Sequence, residues 1–94
     1  MNNPKPFLET KEENYVVREF SPDVDMEDLV WHRDYEDRLI TFLNQNDWKY
    51  QEDNKLPVTC QGQVFIPRGL YHRIHKGTTK LIVKIEFKNP STLD

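Results

Sequence analysis

The sequence predicts an all-β protein, a small β-sandwich or barrel built from short strands. Three observations carry this reading. Short runs rich in Val, Ile, Phe and Tyr recur along the chain. Turn chemistry separates them, at Asn44-Gln45-Asn46-Asp47, Glu52-Asp53-Asn54-Lys55, Pro67-Arg68-Gly69 and Lys76-Gly77. The cleanest run, residues 80–88, puts Leu81, Val83, Ile85 and Phe87 on one face and Lys84, Glu86 and Lys88 on the other. Little of the chain reads as helix.

The elements follow in order. Residues 1–14 are polar, carry Pro4 and Pro6, and read as an extended N-terminal arm. Residues 15–20 form a strand rich in β-formers. Ser21-Pro22-Asp23 starts a short helical turn, with Ser21 as N-cap and Pro22 in the first helical position. Val24, Met26 and Leu29 pack that turn on the core, while Asp23, Asp25, Glu27 and Asp28 form a solvated face. From Leu29 onward the chain reads as strands. Residues 38–43 have Ile40 and Phe42 on one face and Leu39 and Leu43 on the other, as in a strand buried on both sides. Trp48 and Tyr50 share a face of the next short strand. Two more runs, 58–60 and 63–66, flank Gln61-Gly62. The run 70–75 leads into Lys76-Gly77, and Pro90 ends the last strand. The reading is one barrel domain at 15–88 with a tail at 89–94.

Size and composition bound the function. The 94 residues, 36% hydrophobic and 31% charged, leave room for one lean core. Aromatics supply much of it: Trp31, Phe42, Trp48, Tyr50, Phe65, Tyr71 and Phe87. Such a small, polar chain gains stability from pairing, so a homodimer is expected. A net charge of −3 and a pI near 5.6 argue against nucleic acid as a partner. The basic residues Arg68, Arg73, His75, Lys76 and Lys80 read as a solvated face. A lone cysteine, Cys60, excludes an internal disulfide and reads as a buried structural thiol in a reducing compartment. No apolar run approaches the ~20 residues of a membrane helix, and the start of the chain lacks a signal-peptide stretch. A soluble, cytoplasmic protein that does not contact membrane is expected.

The most informative segment is 62–77. Pro67 fixes its own φ and Gly69 can take φ > 0, so the turn between two short strands is stiff. It holds His72 in one place. A second segment carries His32. On a strand, His32, Asp34, Glu36 and Arg38 would share one face. His32 and Asp34 then offer an imidazole nitrogen and a carboxylate oxygen, donors suited to Fe(II), Mn(II), Ni(II) or Zn(II). His72 completes a two-histidine, one-carboxylate set if its strand lies opposite. Trp48 and Tyr50 are placed to line the pocket and stack on a ligand. Tyr71, next to His72, faces the other way.

These segments resemble the cupin superfamily. Gly62, Pro67-Arg68-Gly69 and His72 are similar to its second motif, a glycine, a short strand, Pro-x-Gly and a histidine. His32-Arg33-Asp34 stands at the head of the first motif and Asn44-Gln45-Asn46-Asp47 at its turn. The likeness covers about residues 29–87. It implies a cupin-type double-stranded β-helix, a jelly-roll barrel, with the extended N-terminal arm outside the motifs. Asp34 stands where the family has its second histidine, and Arg38 falls on or next to the slot of its glutamate.

Two pocket arrangements follow. In one, His32, Asp34 and His72 bind a divalent metal, and Arg38 binds an acidic substrate or balances Asp34. In the other, Arg38 takes the metal's place, pairs with Asp34 or Glu36, and the barrel holds a small polar ligand alone. A guanidinium a few ångströms from a divalent ion is repelled unless carboxylates intervene, and Asp34 and Glu36 are the ones at hand. The resemblance implies a small-molecule-binding protein, with Glu36, Arg38, Trp48 and Tyr50 against the ligand. It equally implies a metal-dependent oxygenase or isomerase of a small acidic metabolite. A barrel serving as an interaction scaffold is the third reading, with segment 23–28 or the arm meeting the partner.

Overall fold

Strand β8 (Leu81–Lys88) is the spine of the larger of two sheets. The computed structural model describes residues 6–88; residues 1–5 of the arm and the tail at 89–94, with Pro90, lie outside the described residues. The preceding strands are β1 (Phe7–Lys11), β2 (Val16–Phe20), β3 (Asp37–Phe42), β4 (Lys49–Glu52), β5 (Val58–Thr59), β6 (Gln63–Ile66) and β7 (His72–His75). The larger sheet has the order β1-β2-β8-β3-β6 and the smaller β5-β4-β7. All their pairings are antiparallel. Facing each other, the sheets make the expected all-β jelly roll.

The alternation in β8 sets the core. Leu81, Val83 and Ile85 are buried, and Ile40 of β3 and Val16 of β2 both lie opposite Ile85. From the smaller sheet come Trp48, Tyr50 and, at the end of β5, Cys60. Phe87 continues the inward row but is half exposed at the strand's end, where the Arg38 guanidinium lies 5.0 Å over its ring. β3 is not buried on both sides. Ile40 is buried, Leu39 is intermediate, and Leu43 lies beyond the strand, exposed. The outer face of this sheet meets solvent, as antiparallel sheets allow.

Two local elements differ from expectation. The N-terminal arm is extended, and residues Phe7–Lys11 of it pair with β2, so the barrel takes in eight residues ahead of the boundary at 15. Phe7 packs on Phe20 with ring centroids 5.3 Å apart, and Glu9 pairs with Arg18 at 2.7 Å. The helical turn comes later than Ser21. Ser21 instead caps a tight turn, accepting from the Asp23 N–H, and a 3-10 turn follows at Met26–Asp28 with Asp25 as its cap.

The stretch 44–48 is stapled to the loop before β8. Asn44 accepts from the Ile82 N–H through its side-chain oxygen and donates to the Lys80 carbonyl. Trp48 donates its indole N–H to the Thr79 carbonyl at 2.6 Å. Asp47 accepts from the Thr78 hydroxyl at 2.6 Å and from the Thr78 N–H at 2.8 Å. Those bonds, the hydroxyl first, hold the Asp47 carboxyl below the usual carboxylate range. Gly77 permits this closeness, because a Cβ there would sit 2.8 Å from the Asp47 carbonyl carbon.

Gly77→Ala should therefore lower stability by about 1–3 kcal/mol, the usual cost of overpacking. Urea unfolding measures it, and an unchanged midpoint would show that the loop relaxes freely. Burial pushes the Cys60 thiol up to about 12, against the opposing pull of Lys49. Little thiolate forms near neutrality. At about pH 8 the folded chain should resist iodoacetamide and become alkylated only when unfolded, as mass spectrometry would read; rapid native labelling would contradict the burial.

Candidate metal centre

His72 opens β7 on its buried face. Opposite it, His32 forms an isolated antiparallel bridge, with His32 N–H donating to the His72 carbonyl at 3.0 Å and His72 N–H returning at 2.9 Å. Directly paired residues point to the same side, so both imidazoles lie together, with ring centroids 4.3 Å apart. The flanking positions point out. There the Arg73 guanidinium lies 5.9 Å over Trp31, and Arg33 lies 4.8 Å over Tyr71. Tyr71, just ahead of β7, thus faces away from the histidines, as expected.

Both rings are held alike. His32 Nδ1 lies 2.9 Å from the Val30 carbonyl, and His72 Nδ1 lies 2.8 Å from the Leu70 carbonyl. A carbonyl only accepts, so each Nδ1 carries the proton and a neutral ring keeps a lone pair on Nε2. Both Nε2 atoms turn to Asp34, at 3.8 Å from its Oδ1 for His32 and 3.4 Å from its Oδ2 for His72. Asp34 is buried, and its Oδ2 has no hydrogen-bond partner among the described residues. Burial is the largest influence on His72 and pushes its pKa below the usual value, against the pull of the Leu70 carbonyl and Asp34. Neutral His72 thus presents a lone pair to an unpaired carboxylate oxygen. Three donor atoms, one from each residue, lie within 4.8 Å of one another.

The strand expected through 32–38 does not form; only His32 bridges, and β3 begins at Asp37. The intervening loop is held from outside. Gly69 N–H donates to the Asp34 carbonyl at 2.9 Å, and Arg68 N–H donates to Asp37 Oδ1 at 2.7 Å. The turn that supplies them is closed by Leu70 N–H on the Pro67 carbonyl, with Gly69 at φ +86°. A positive φ in the third position of a four-residue turn is the reason for glycine there.

The donors adjoin a cavity of about 300 Å³ inside the barrel. Its walls are largely apolar, with Ile40, Phe42, Val83 and Ile85 from the larger sheet. That is the lower end of the ~300–1,000 Å³ range of ligand pockets.

No protein-family model matches this chain, and no curated protein matches it. Solved structures do. A chain from the crystal structures of the DMSP lyases RdDddP and RnDddQII superposes with a TM-score of 0.68 at 15% identity, over 85% of this chain. This chain spans only 40% of that one. A cupin domain from Bordetella pertussis Tohama I gives a TM-score of 0.54 at 21% identity, covering 94% of this chain and 98% of that domain. A cupin-like protein from Thermotoga maritima MSB8 gives 0.52 at 20% identity, covering 86% and 61%. The chain has the cupin fold.

Within this cupin barrel the other expected site residues separate. Arg38 lines the cavity but does not replace a metal between the histidines. Its Nε and Nη2 lie 2.8 and 2.7 Å from Glu36 Oε1, and its Nη1 lies 3.6 Å from Asp34 Oδ1, leaving Oδ2 facing His72. Glu36 holds Arg38 and does not itself line the cavity. Tyr50 does line it, with its ring centroid 6.0 Å from that of His72 and its hydroxyl donating to Glu52 at 3.2 Å. Burial and then the Glu52 charge raise its pKa, so the phenol keeps its proton. Trp48 must be corrected. It has no exposed surface, does not reach the cavity, and stacks on Phe20 at 5.8 Å. Its place two residues before Tyr50 gives it the same face but a lower level in the barrel. Sequence reasoning missed Arg18, Phe7 and Phe20, which also line the cavity. The signal was the inward alternation of Val16, Arg18 and Phe20, with the arginine in its middle.

Folded His72 holds a proton less tightly than an unfolded histidine, whose pKa is about 6.5. Its contribution to stability is therefore complete above about pH 6.5 and is lost as pH falls toward the folded value. The urea midpoint of the metal-free protein should drop from about pH 7 to about pH 5 by more in the parent than in His72→Gln. Equal drops would show that His72 is not held neutral.

Proposed function

We propose that this chain is a small-molecule-binding cupin in which His32, Asp34 and His72 hold a divalent transition metal. One observation carries the reading. A buried carboxylate oxygen without a partner, Asp34 Oδ2, faces imidazole nitrogens whose protons are already committed to carbonyls. Acceptors brought together in this way repel one another, and a cation between them removes the repulsion. Nothing else among the described residues supplies that cation to Oδ2, since Arg38 is directed to Glu36 and to Oδ1.

The donor set suits iron, manganese, nickel or zinc, all of which accept imidazole nitrogen with carboxylate oxygen. A metal held by three protein donors keeps open positions that polarise and orient a ligand's oxygen. The chain's own residues do the rest. The Val30 and Leu70 carbonyls fix the rings in the tautomer that ligates, as the outer partners of metal-bound histidines do. Glu36 keeps the Arg38 charge away from Oδ2. The apolar cavity wall excludes water from the body of a bound molecule. The cavity adjoining the donors favours a second reading, a metal-dependent oxygenase or isomerase acting on a small acidic molecule in the same place.

Metal-stripped protein incubated with Fe(II), Mn(II), Ni(II) or Zn(II) and desalted should retain about one equivalent of at least one metal by elemental analysis. His72→Ala and Asp34→Ala, folded by circular dichroism, should retain less than about a tenth. Parent protein that keeps less than about a tenth of every metal sinks the proposal.

A further inference from the structure

Two arginines line the barrel cavity, and they are committed differently. Arg38 turns all three nitrogens toward carboxylates, two on Glu36 and one toward Asp34. Arg18 uses only its Nε, which donates to Glu9 Oε1 at 2.7 Å. A guanidinium carries five N–H donors, so most of the hydrogen-bonding capacity of Arg18 is left over. Its terminal nitrogens donate to no described residue.

Position makes that capacity usable. Val16 and Phe20, on either side of Arg18 in β2, are both buried, and Arg18 points inward with them at the level of Val83. Its side chain is 19% exposed. The Phe7 ring lies 4.2 Å from its guanidinium carbon and braces it from β1. Val30 and His32, which line the same cavity, are exposed, so the cavity opens to solvent. Glu9 offsets part of the Arg18 charge, while Asp28, a further acidic residue of the cavity lining, is exposed, and its repulsion of an anion is screened by solvent.

The register gives the span. Arg18 lies opposite Val83, Val83 opposite Phe42, and Arg38 is four residues earlier in β3 than Phe42. At ~4.8 Å per strand and ~3.4 Å per residue, the two arginine Cα atoms are roughly 17 Å apart on the sheet. The wall between them is Ile40, Phe42, Val83 and Ile85.

We infer that the cavity takes a small organic anion with an apolar body, and that Arg18 is the residue that recognises its anionic head group. The apolar body lies along the wall, toward the histidines. A charge-assisted hydrogen bond from a partly buried guanidinium is about twice as strong as a neutral one, which is the source of selectivity. The inference rests on the reading of the barrel as a small-molecule site, and it does not require the metal.

The test compares hexanoate with hexan-1-ol, a carboxylate and a neutral molecule with the same number of carbons. Binding to the full, metal-free chain is followed by titration of methyl NMR shifts and repeated on Zn(II)-loaded protein. Hexanoate should bind about tenfold more tightly than hexanol in both forms. Arg18→Gln should remove that preference while leaving hexanol affinity within about twofold, and Arg18→Lys should keep most of it. Arg18→Met, which also removes the charge and should also remove the preference, stands in should Arg18→Gln fail to fold. Equal binding of the two probes by the parent overturns the role of Arg18 and leaves the small-molecule reading standing. So does a preference that survives in Arg18→Gln and disappears in Arg38→Gln, which would move the head group to the other arginine. A preference seen only with Zn(II) assigns the carboxylate to the metal and overturns the inference. Failure of both probes to bind overturns the inference together with the small-molecule reading.

Discussion

A four-residue turn fastens one irregular loop to one strand, and the site exists because of it. Residues 33–36 belong to no strand, and nothing in their own backbone would keep Asp34 beneath two imidazoles. The loop is fixed at His32 by two backbone hydrogen bonds to His72. It is fixed at Asp34 and Asp37 by N–H groups of Gly69 and Arg68. The turn that supplies those donors lies just ahead of His72, so one stiff segment positions all three candidate ligands. Preorganisation of this kind holds donor atoms at ligand distance before anything binds, and so lowers what binding must spend on ordering.

This constraint also explains which parts of the site were legible in the sequence. Pro67-Arg68-Gly69 announces itself because φ preferences are local, and Gly69 takes the positive φ that the turn demands. His72 follows at a fixed offset. Asp34 was reachable only through a strand that does not form, since Gly69, which holds it, and Arg68, which holds Asp37 beside it, are more than thirty residues away and leave no periodic trace. Its even spacing from His32 predicts that the two side chains meet, as they do at 3.8 Å, but through a strand that is absent. Trp48 and Tyr50 show the limit of alternation. It tells which face a residue occupies but not how deep along the barrel it lies, and the staple from Trp48 to Thr79 depends on a distant loop. The role of β1 was hidden by composition. Leu8 points outward and exposed, and Glu9 points inward only because Arg18 receives it, so no apolar alternation marks Phe7–Lys11.

Electrostatics bears on the competition that the sequence left open between a metal and Arg38. A guanidinium near a divalent ion is opposed by Coulomb repulsion unless carboxylates lie between them. Here Glu36 takes Arg38 at 2.7 Å, and Asp34 Oδ1 stands between Arg38 and the histidines. Arg38 therefore acts as a counter-charge that steadies Asp34 rather than as an occupant of the ligand position. Removal of Glu36 from the cavity wall and retention of Arg38 on it are two sides of the same ion pair.

The arrangement is not what stability alone would select. Leaving one buried polar atom without a partner costs about 1–3 kcal/mol, and a charged group costs more. A domain of this size has only about 5–15 kcal/mol in total. A hydrophobic residue in place of Asp34 would remove that cost and let Ile66 and Tyr50, already buried beside the cavity, pack more fully. The sequence instead spends two histidines, a carboxylate and a stiff turn on a cluster that weakens the fold. Departures from local consistency of this sort concentrate where a protein meets a ligand. The same reasoning applies in β2, where an arginine interrupts the apolar row of Val16 and Phe20. Both departures border one cavity, between the sheets and not on their outer faces.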